Sequence, residues 1–135
     1  MVMPPKWLLL NLSNFMTKDI KRAEHKFDAT GQSLGRLATQ IAVILHGKDL
    51  TAFESHLDLG GFVAVENVDK IKVTGNKFND KIYYKSSDRP GGLKKSKMKA
   101  VVAKKGWAEI LRRAVFQMLP DNKLRPEMMK RLTIK

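Results

Sequence analysis

Residues 25–47 read HKFDATGQSLGRLATQIAVILHG, and the period of their apolar positions changes once. His25–Ala29 predicts a short strand. Thr30-Gly31-Gln32 follows as a turn, whose glycine can supply positive φ. From there Leu34, Leu37, Ala38, Ile41, Ala42 and Leu45 recur at spacings of three and four, the stripe of an amphipathic helix. Ser33 stands where an N-cap belongs, and Gly47 where a C′ glycine closes such a helix. A strand, a tight turn and a helix in that order open an α/β domain.

The pattern continues outward from this unit. Phe62–Val65 is a continuous apolar run of β-forming residues, and Ile71 and Val73 alternate with Lys70 and Lys72 before a Thr74-Gly75-Asn76 turn. Ile82-Tyr83-Tyr84 predicts a further short strand, and a basic loop containing Pro90-Gly91-Gly92 comes next. Trp107, Ile110, Leu111, Ala114, Val115, Met118 and Leu119 mark the apolar face of a second helix, stopped by Pro120. Arg112 and Arg113 leave that helix on the other face. Pro126 suits the first turn of a terminal helix, with Leu124, Met128 and Leu132 spaced by four and Lys130 and Arg131 expected to be exposed.

A chain of 135 residues with 43% hydrophobic residues is long enough for one self-sufficient core. It has no cysteine, which excludes a disulfide framework and thiolate chemistry, and no run of eighteen apolar residues that would cross a membrane. The formal net charge is +13. Residues 1–67 hold seven basic and seven acidic side chains and residues 68–135 hold nineteen and six, so the second half carries the whole excess. Between Lys81 and Lys105, nine basic residues face one acidic residue, Asp88. A polyanion relieves such self-repulsion, so RNA, DNA or an anionic membrane surface is the expected partner.

Catalytic and cofactor patterns are absent or incomplete. Gly31-Gln-Ser-Leu-Gly35-Arg36 lies between a strand and a helix, but it has neither the spacing of a phosphate-binding P-loop nor that of a dinucleotide fingerprint. His25, His46 and His56 lie too far apart for an i, i+4 metal pair, so no metal is expected. Glu54, His56 and Asp58 alternate and would put two carboxylates on one strand face, yet no nucleophile accompanies them in sequence. No cofactor, no small-molecule substrate and no enzymatic activity is expected.

The richest stretch is Asn67–Tyr84, NVDKIKVTGNKFNDKIYY, where an apolar strand and a Gly/Asn turn are interleaved with lysines and tyrosines. Ammonium groups suit phosphates, and aromatic rings stack on unpaired bases or pack on sugars. A basic hairpin with two core tyrosines would read the same way.

Several motifs in order carry a resemblance. They are Asp28-Ala29-Thr30-Gly31 with Leu34-Gly35-Arg36-Leu37-Ala38, Gly47-Lys48, Val73-Thr74-Gly75-Asn76-Lys77 with Asp80-Lys81 and Tyr83-Tyr84, Pro90-Gly91-Gly92-Leu93, and Met118-Leu119-Pro120 with Leu124. From about Lys21 to Ile134 the chain resembles the universal large-subunit ribosomal protein family L-thirteen, in its bacterial form. The resemblance implies a three-layer α/β/α domain around a mostly parallel four-stranded sheet, with basic loops and a C-terminal helical extension. It also implies a structural, non-catalytic role binding large-subunit, 23S-type ribosomal RNA and supporting assembly and translation, inside ribosomes of the bacterial cytoplasm. Neighbouring large-subunit proteins are the implied protein partners, and its own messenger RNA is a candidate second RNA. No membrane partner is expected.

In that family the Thr-Gly-Asn-Lys turn, the Gly-Gly loop and the helix before the Met-Leu-Pro element carry the basic RNA-facing side chains. Here these regions are Thr74–Lys77, Arg89–Lys97 and Arg112–Arg131. The expected RNA-facing set runs from Arg36 and Lys48 through Lys72, Thr74, Gly75, Asn76 and Lys77 to Lys81, Tyr83, Tyr84 and Lys85. It continues with Arg89, Gly91, Gly92, Lys94, Lys95 and Lys97, and ends with Arg112, Arg113, Lys123, Arg125, Lys130 and Arg131. The chain departs from the family pattern at Ser55-His56, Gly60-Gly61-Phe62, Ser86-Ser87-Asp88 and Phe116-Gln117, and it stops at Lys135 before the usual Tyr-x-Gly-x-x-His tail. Contacts of that tail are expected to be absent or supplied by a neighbour. Residues 1–20, with the apolar cluster Trp7–Leu10, read as an appended flexible extension to a domain spanning residues 21–135, and a chain started at Met16 is expected to fold and enter subunits.

Overall fold

A computed structural model describes residues 22–135. The expectations for the N-terminal extension lie outside the described residues. Strand β1 (Glu24–Asp28) leads into helix α1 (Leu34–His46), and strand β2 (Phe62–Glu66) into a 3-10 turn at Val68–Lys70. A short helix α2 (Lys77–Asp80), strands β3 (Ile82–Lys85) and β4 (Lys94–Lys97), helix α3 (Met98–Met118), helix α4 (Arg125–Lys130) and strand β5 (Leu132–Ile134) complete the chain.

The opening unit forms as its periodicity predicts. Leu37, Ala38, Ile41, Ala42 and Leu45 are buried along one side of α1, and Gly47 ends the helix at φ 80°, its N–H donating to the Val43 and Ile44 carbonyls. Ser33 occupies the N-cap position with extended backbone, but its hydroxyl makes no capping bond.

Two sheets form. β1, β2 and β5 make a parallel sheet with β2 in the centre, while β3 and β4 pair as a separate antiparallel ribbon. Register sets Phe27, Val63, Val65, Leu132 and Ile134 on one sheet face, packed with α1, Leu111 and Val115 of α3, and Met128 of α4. Glu24, Lys26, Phe62 and Thr133 on the other face are exposed, so among the described residues helices cover one face.

Residues 70–73 do not add a neighbouring strand. Beyond the 3-10 turn they run on beside residues 31–34, through Gly31 N–H to Lys70 O at 3.1 Å, Leu34 N–H to Lys72 O at 3.0 Å and Lys72 N–H to Gln32 O at 2.8 Å. They prolong the β1–β2 pairing as one bridge, Ser33 opposite Lys72. Of the four-stranded, three-layer form expected above, the described residues form a mixed α/β fold with a three-stranded parallel sheet.

Three local readings are corrected. Leu132 sits on β5, because the chain leaves helix α4 at Lys130 and the Arg131 carbonyl accepts the Val63 N–H at 3.1 Å. Lys94–Lys97 is a strand where a loop was expected, since its partner β3 supplies the ladder that its own lysines do not favour. Residues 54–58 form turns and no strand: Glu54 pairs with His56 at the surface at 3.3 Å, and Asp58 turns inward.

Asp58 anchors the most buried ion pair among the described residues. Arg131, 8% exposed, donates from Nη1 and Nη2 to the two Asp58 carboxylate oxygens at 2.5 and 2.6 Å, and from Nη2 to the Leu45 carbonyl at 3.0 Å. Arg22 joins from just before β1, donating to the Gly60 carbonyl at 2.7 Å. The guanidinium of Arg131 thus ties the 47–61 connection to the beginning of β5. Gly60 permits this approach, for a Cβ built there would lie 1.9 Å from the Leu45 carbonyl oxygen.

Candidate nucleic-acid interface

The second half of the chain folds into a ribbon and a broken helix that share a small core. Met98, Val101 and Ile110 are buried there, with Val73, Tyr83 and Trp107 packed on them, and Phe78 stacks on Trp107 at 5.8 Å. α3 is interrupted at Gly106, whose φ of 75° and ψ of 178° are not helical. The interruption lets the segment after Met98 lie against the ribbon while the segment after Trp107 packs on α1 and the main sheet.

Around this core three hollows adjoin. The first, about 480 Å³, lies at the start of α1 and is lined by Arg36, Lys72, Lys77 and Lys81. The second, about 680 Å³, shares Lys81 and Gln117 with it and adds Lys85, Arg112 and Arg113. The third, about 380 Å³, shares Arg113 with the second and is walled by Lys95, Lys97, Lys104 and Lys105. Among the described residues the sole carboxylate across all three is Glu109, and Arg113 Nε holds it at 2.8 Å. Each hollow has cations and the sequence of hollows is continuous, which is the geometry a polyanion backbone needs.

The ribbon concentrates charge further. Lys85 stands opposite Lys94 in the ladder, and Tyr84 opposite Lys95. Like charges directly across a strand pair repel, so this register is unfavourable until an anion lies over it. Gly75 at φ 67° and Gly91 at φ 75° turn the chain at the two ends of this region. Asn76 closes its own turn, its amide donating to Asp80 at 2.6 Å, which leaves Thr74 and Lys77 exposed beside it.

The tyrosines divide. Tyr83 is half-buried between Lys81, 5.3 Å from its ring centre, and Arg113 at 5.1 Å. Burial pushes its phenol pKa up, against the pull of Arg113, so the hydroxyl stays protonated at neutral pH. Tyr84 is 61% exposed, with Lys95 5.9 Å from its ring.

The other expected residues scatter. Arg89, Gly91, Lys94 and Lys123 are exposed and Gly92 is half-buried. Lys48 is exposed beyond α1, on a separate hollow with His46 and Pro120. Lys130 pairs with Glu127 at 2.8 Å. Arg125 is committed internally, donating to the Pro120 carbonyl at 2.8 Å and the Leu119 carbonyl at 3.0 Å while covering the Phe116 ring at 4.6 Å. Arg131, expected to be exposed, is buried in the Asp58 pair, because its partner comes from the far end of the 47–61 connection. Lys104, Lys105 and Phe116 line the hollows but were not singled out from sequence. The charge count between Lys81 and Lys105 contained the signal for the two lysines, whereas Phe116 stood out in sequence only as a departure from the family pattern.

Among the described residues no group of His, Asp and Glu side chains is placed to hold a metal ion, and no helix is long and apolar enough to cross a membrane.

The chain is similar to known proteins over most of its length. The Large ribosomal subunit protein uL13 of Maridesulfovibrio salexigens is 49% identical over 117 residues, covering 87% of this chain and 82% of its own length. That of Persephonella marina is 49% identical over 116 residues, covering 86% and 77%, and that of Brevibacillus brevis 45% identical over 124 residues, covering 90% and 85%. The family described as Ribosomal protein L13 matches residues 22–134, so the continuous strip of cations lies within the matched region and the chain belongs to the ribosomal protein L13 family.

Proposed function

We propose that this chain is a structural constituent of the bacterial large ribosomal subunit that binds 23S-type ribosomal RNA and has no catalytic activity. One observation carries the mode of binding: among the described residues, eleven cations and one carboxylate line the three adjoining hollows between the start of α1, the β3–β4 ribbon and α3. Ammonium and guanidinium groups there neutralise phosphates, and counterion release drives association. Arg36, Lys72, Lys77, Lys81, Lys85, Lys94, Lys95, Lys97, Arg112 and Arg113 are the contacts this reading assigns to RNA. Arg125 and Arg131 position the C-terminal elements instead.

The remaining surfaces face neighbouring large-subunit proteins in the same reading, which places the chain within ribosomes of the cytoplasm. Its own messenger RNA, being a polyanion of the same chemistry, would use the same strip. The finer family arrangement of four strands in three layers belongs to this proposal as well, and the hydrogen bonds carrying residues 70–72 beside residues 31–34 support its fourth strand. Sedimentation of cell extracts tests the whole. The tagged chain should travel with large subunits after a high-salt wash, whereas a free RNA-binding regulator would be released to the top of the gradient.

A further inference from the structure

We propose that the hollow between the outer edge of β3 and the second half of α3 seats an unpaired nucleotide of the RNA, with its base stacked on Tyr84 or Phe116. The inference rests on the rRNA-binding reading above and names the RNA feature that this face selects. β3 pairs only with β4, so among the described residues its second edge keeps backbone donors and acceptors without strand partners. Between that edge and α3 opens the hollow of about 680 Å³. Tyr83 and Tyr84 come to it from the ribbon, Phe116 from α3 and Met129 from α4, so three segments distant in sequence converge on one apolar and aromatic lining.

Two of these rings are poorly explained by folding alone. Tyr84 is 61% exposed and Phe116 44% exposed. Each already carries one cation, Lys95 at 5.9 Å from Tyr84 and Arg125 at 4.6 Å from Phe116. A cation on one side of a ring leaves its other side for a planar base and sets a positive charge near the nucleotide's phosphate. Arg112 and Arg113 line the same hollow and offer guanidinium planes and donors to base edges or phosphates. A regular RNA duplex presents phosphates and 2′-hydroxyls outward and keeps its bases stacked inside, so it can offer phosphates to the cations here but no free base to the exposed rings. An acidic peptide adding a strand to β3 would satisfy the backbone edge, yet it would leave the exposed aromatic pair unused.

Two RNA hairpins of equal length and charge, one fully paired and one with a single bulged adenosine, test this by fluorescence anisotropy on the full chain. The bulged hairpin should bind roughly tenfold more tightly, the scale of one stacked base. At least one of Tyr84→Ala and Phe116→Ala should lose most of that margin while changing affinity for the paired hairpin less than twofold. Tyr84→Phe, which keeps the ring, should retain it. Equal affinity for the two hairpins, or an equal loss on both in the alanine variants, would overturn the proposal and leave the rRNA reading standing. Failure of the unaltered chain to bind either hairpin would overturn both. An Asp- and Glu-rich decapeptide that displaces the bulged hairpin and not the paired one would assign the hollow to a protein partner and overturn the proposal. Should circular dichroism show that the alanine variants unfold, a 2-aminopurine bulge decides with the unaltered chain: quenching on binding supports stacking, and unchanged emission refutes it.

Discussion

Replacing Asp58 by alanine should destabilise the domain severely while sparing the RNA-binding strip. Asp58 accepts two hydrogen bonds from Arg131, whose guanidinium among the described residues otherwise donates only to the Leu45 carbonyl and has no partner at Nε. Removing the carboxylate strands a cation in a site only 8% exposed. Breaking a buried pair in this way costs about 3–5 kcal/mol, and the partial exposure of Asp58 favours the lower end. A loss of ~3 kcal/mol is a large share of the ~5–15 kcal/mol that holds a typical domain together. For a chain of this size it corresponds to a fall in Tm on the order of 10 °C. Urea unfolding followed by circular dichroism measures it directly, and the midpoint should fall with little change in slope. The double change Asp58→Leu with Arg131→Met should recover most of the loss, because it removes both charges and leaves apolar volume. Below the Asp58→Ala unfolding transition, the salt dependence of rRNA binding should match that of the unaltered chain. A loss under ~1 kcal/mol, or a weaker salt dependence in the folded variant, would show that Arg131 is not engaged as described.

Gly60→Ala should cost on the order of 1–3 kcal/mol or more in the same unfolding assay, because its Cβ would overlap the Leu45 carbonyl oxygen; unchanged stability would mean the 47–61 connection sits differently. His46 is buried beside Lys48, and desolvation first and the Lys48 charge second hold its pKa below the usual 6.5. The unfolded chain therefore binds this proton before the folded one does, and stability should fall as pH drops below 6.5, a decline that His46→Gln should flatten in denaturation curves taken at several pH values. Reversing Lys94, Lys95 and Lys97 to glutamate should leave the circular dichroism of the domain nearly unchanged, since β4 is exposed along its length, while incorporation into large subunits falls sharply; unfolding would make these lysines structural.

Where local chemistry decided the outcome, the sequence was readable. The stripe from Leu34 to Leu45 and the Gly47 stop each follow from spacing and glycine's tolerance of positive φ, and both formed as expected. The basic strip was visible as a charge count before any residue was placed. What could not be read depended on distant partners. Arg131 looked like its neighbour Lys130 until Asp58, 73 residues away, came to meet it. Leu132 continues an i, i+4 spacing from Met128, and only the free edge of β2 explains why the chain extends there instead. Lys94–Lys97 has no strand-forming signature of its own, so its β structure is imposed by β3. Phe116 lies on the outward side of a helix and acquires meaning only beside Tyr84 and Met129.

The salt dependence of binding to 23S-type rRNA tests the central claim most directly. If about eight phosphates are neutralised along the strip, log K should fall with log[salt] at a slope of roughly −6 to −7, between the single- and double-strand limits. Arg112→Ala, an exposed cation in the middle hollow, should make that slope shallower by about one. A slope near −1 for the unaltered chain would contradict binding through this strip of cations.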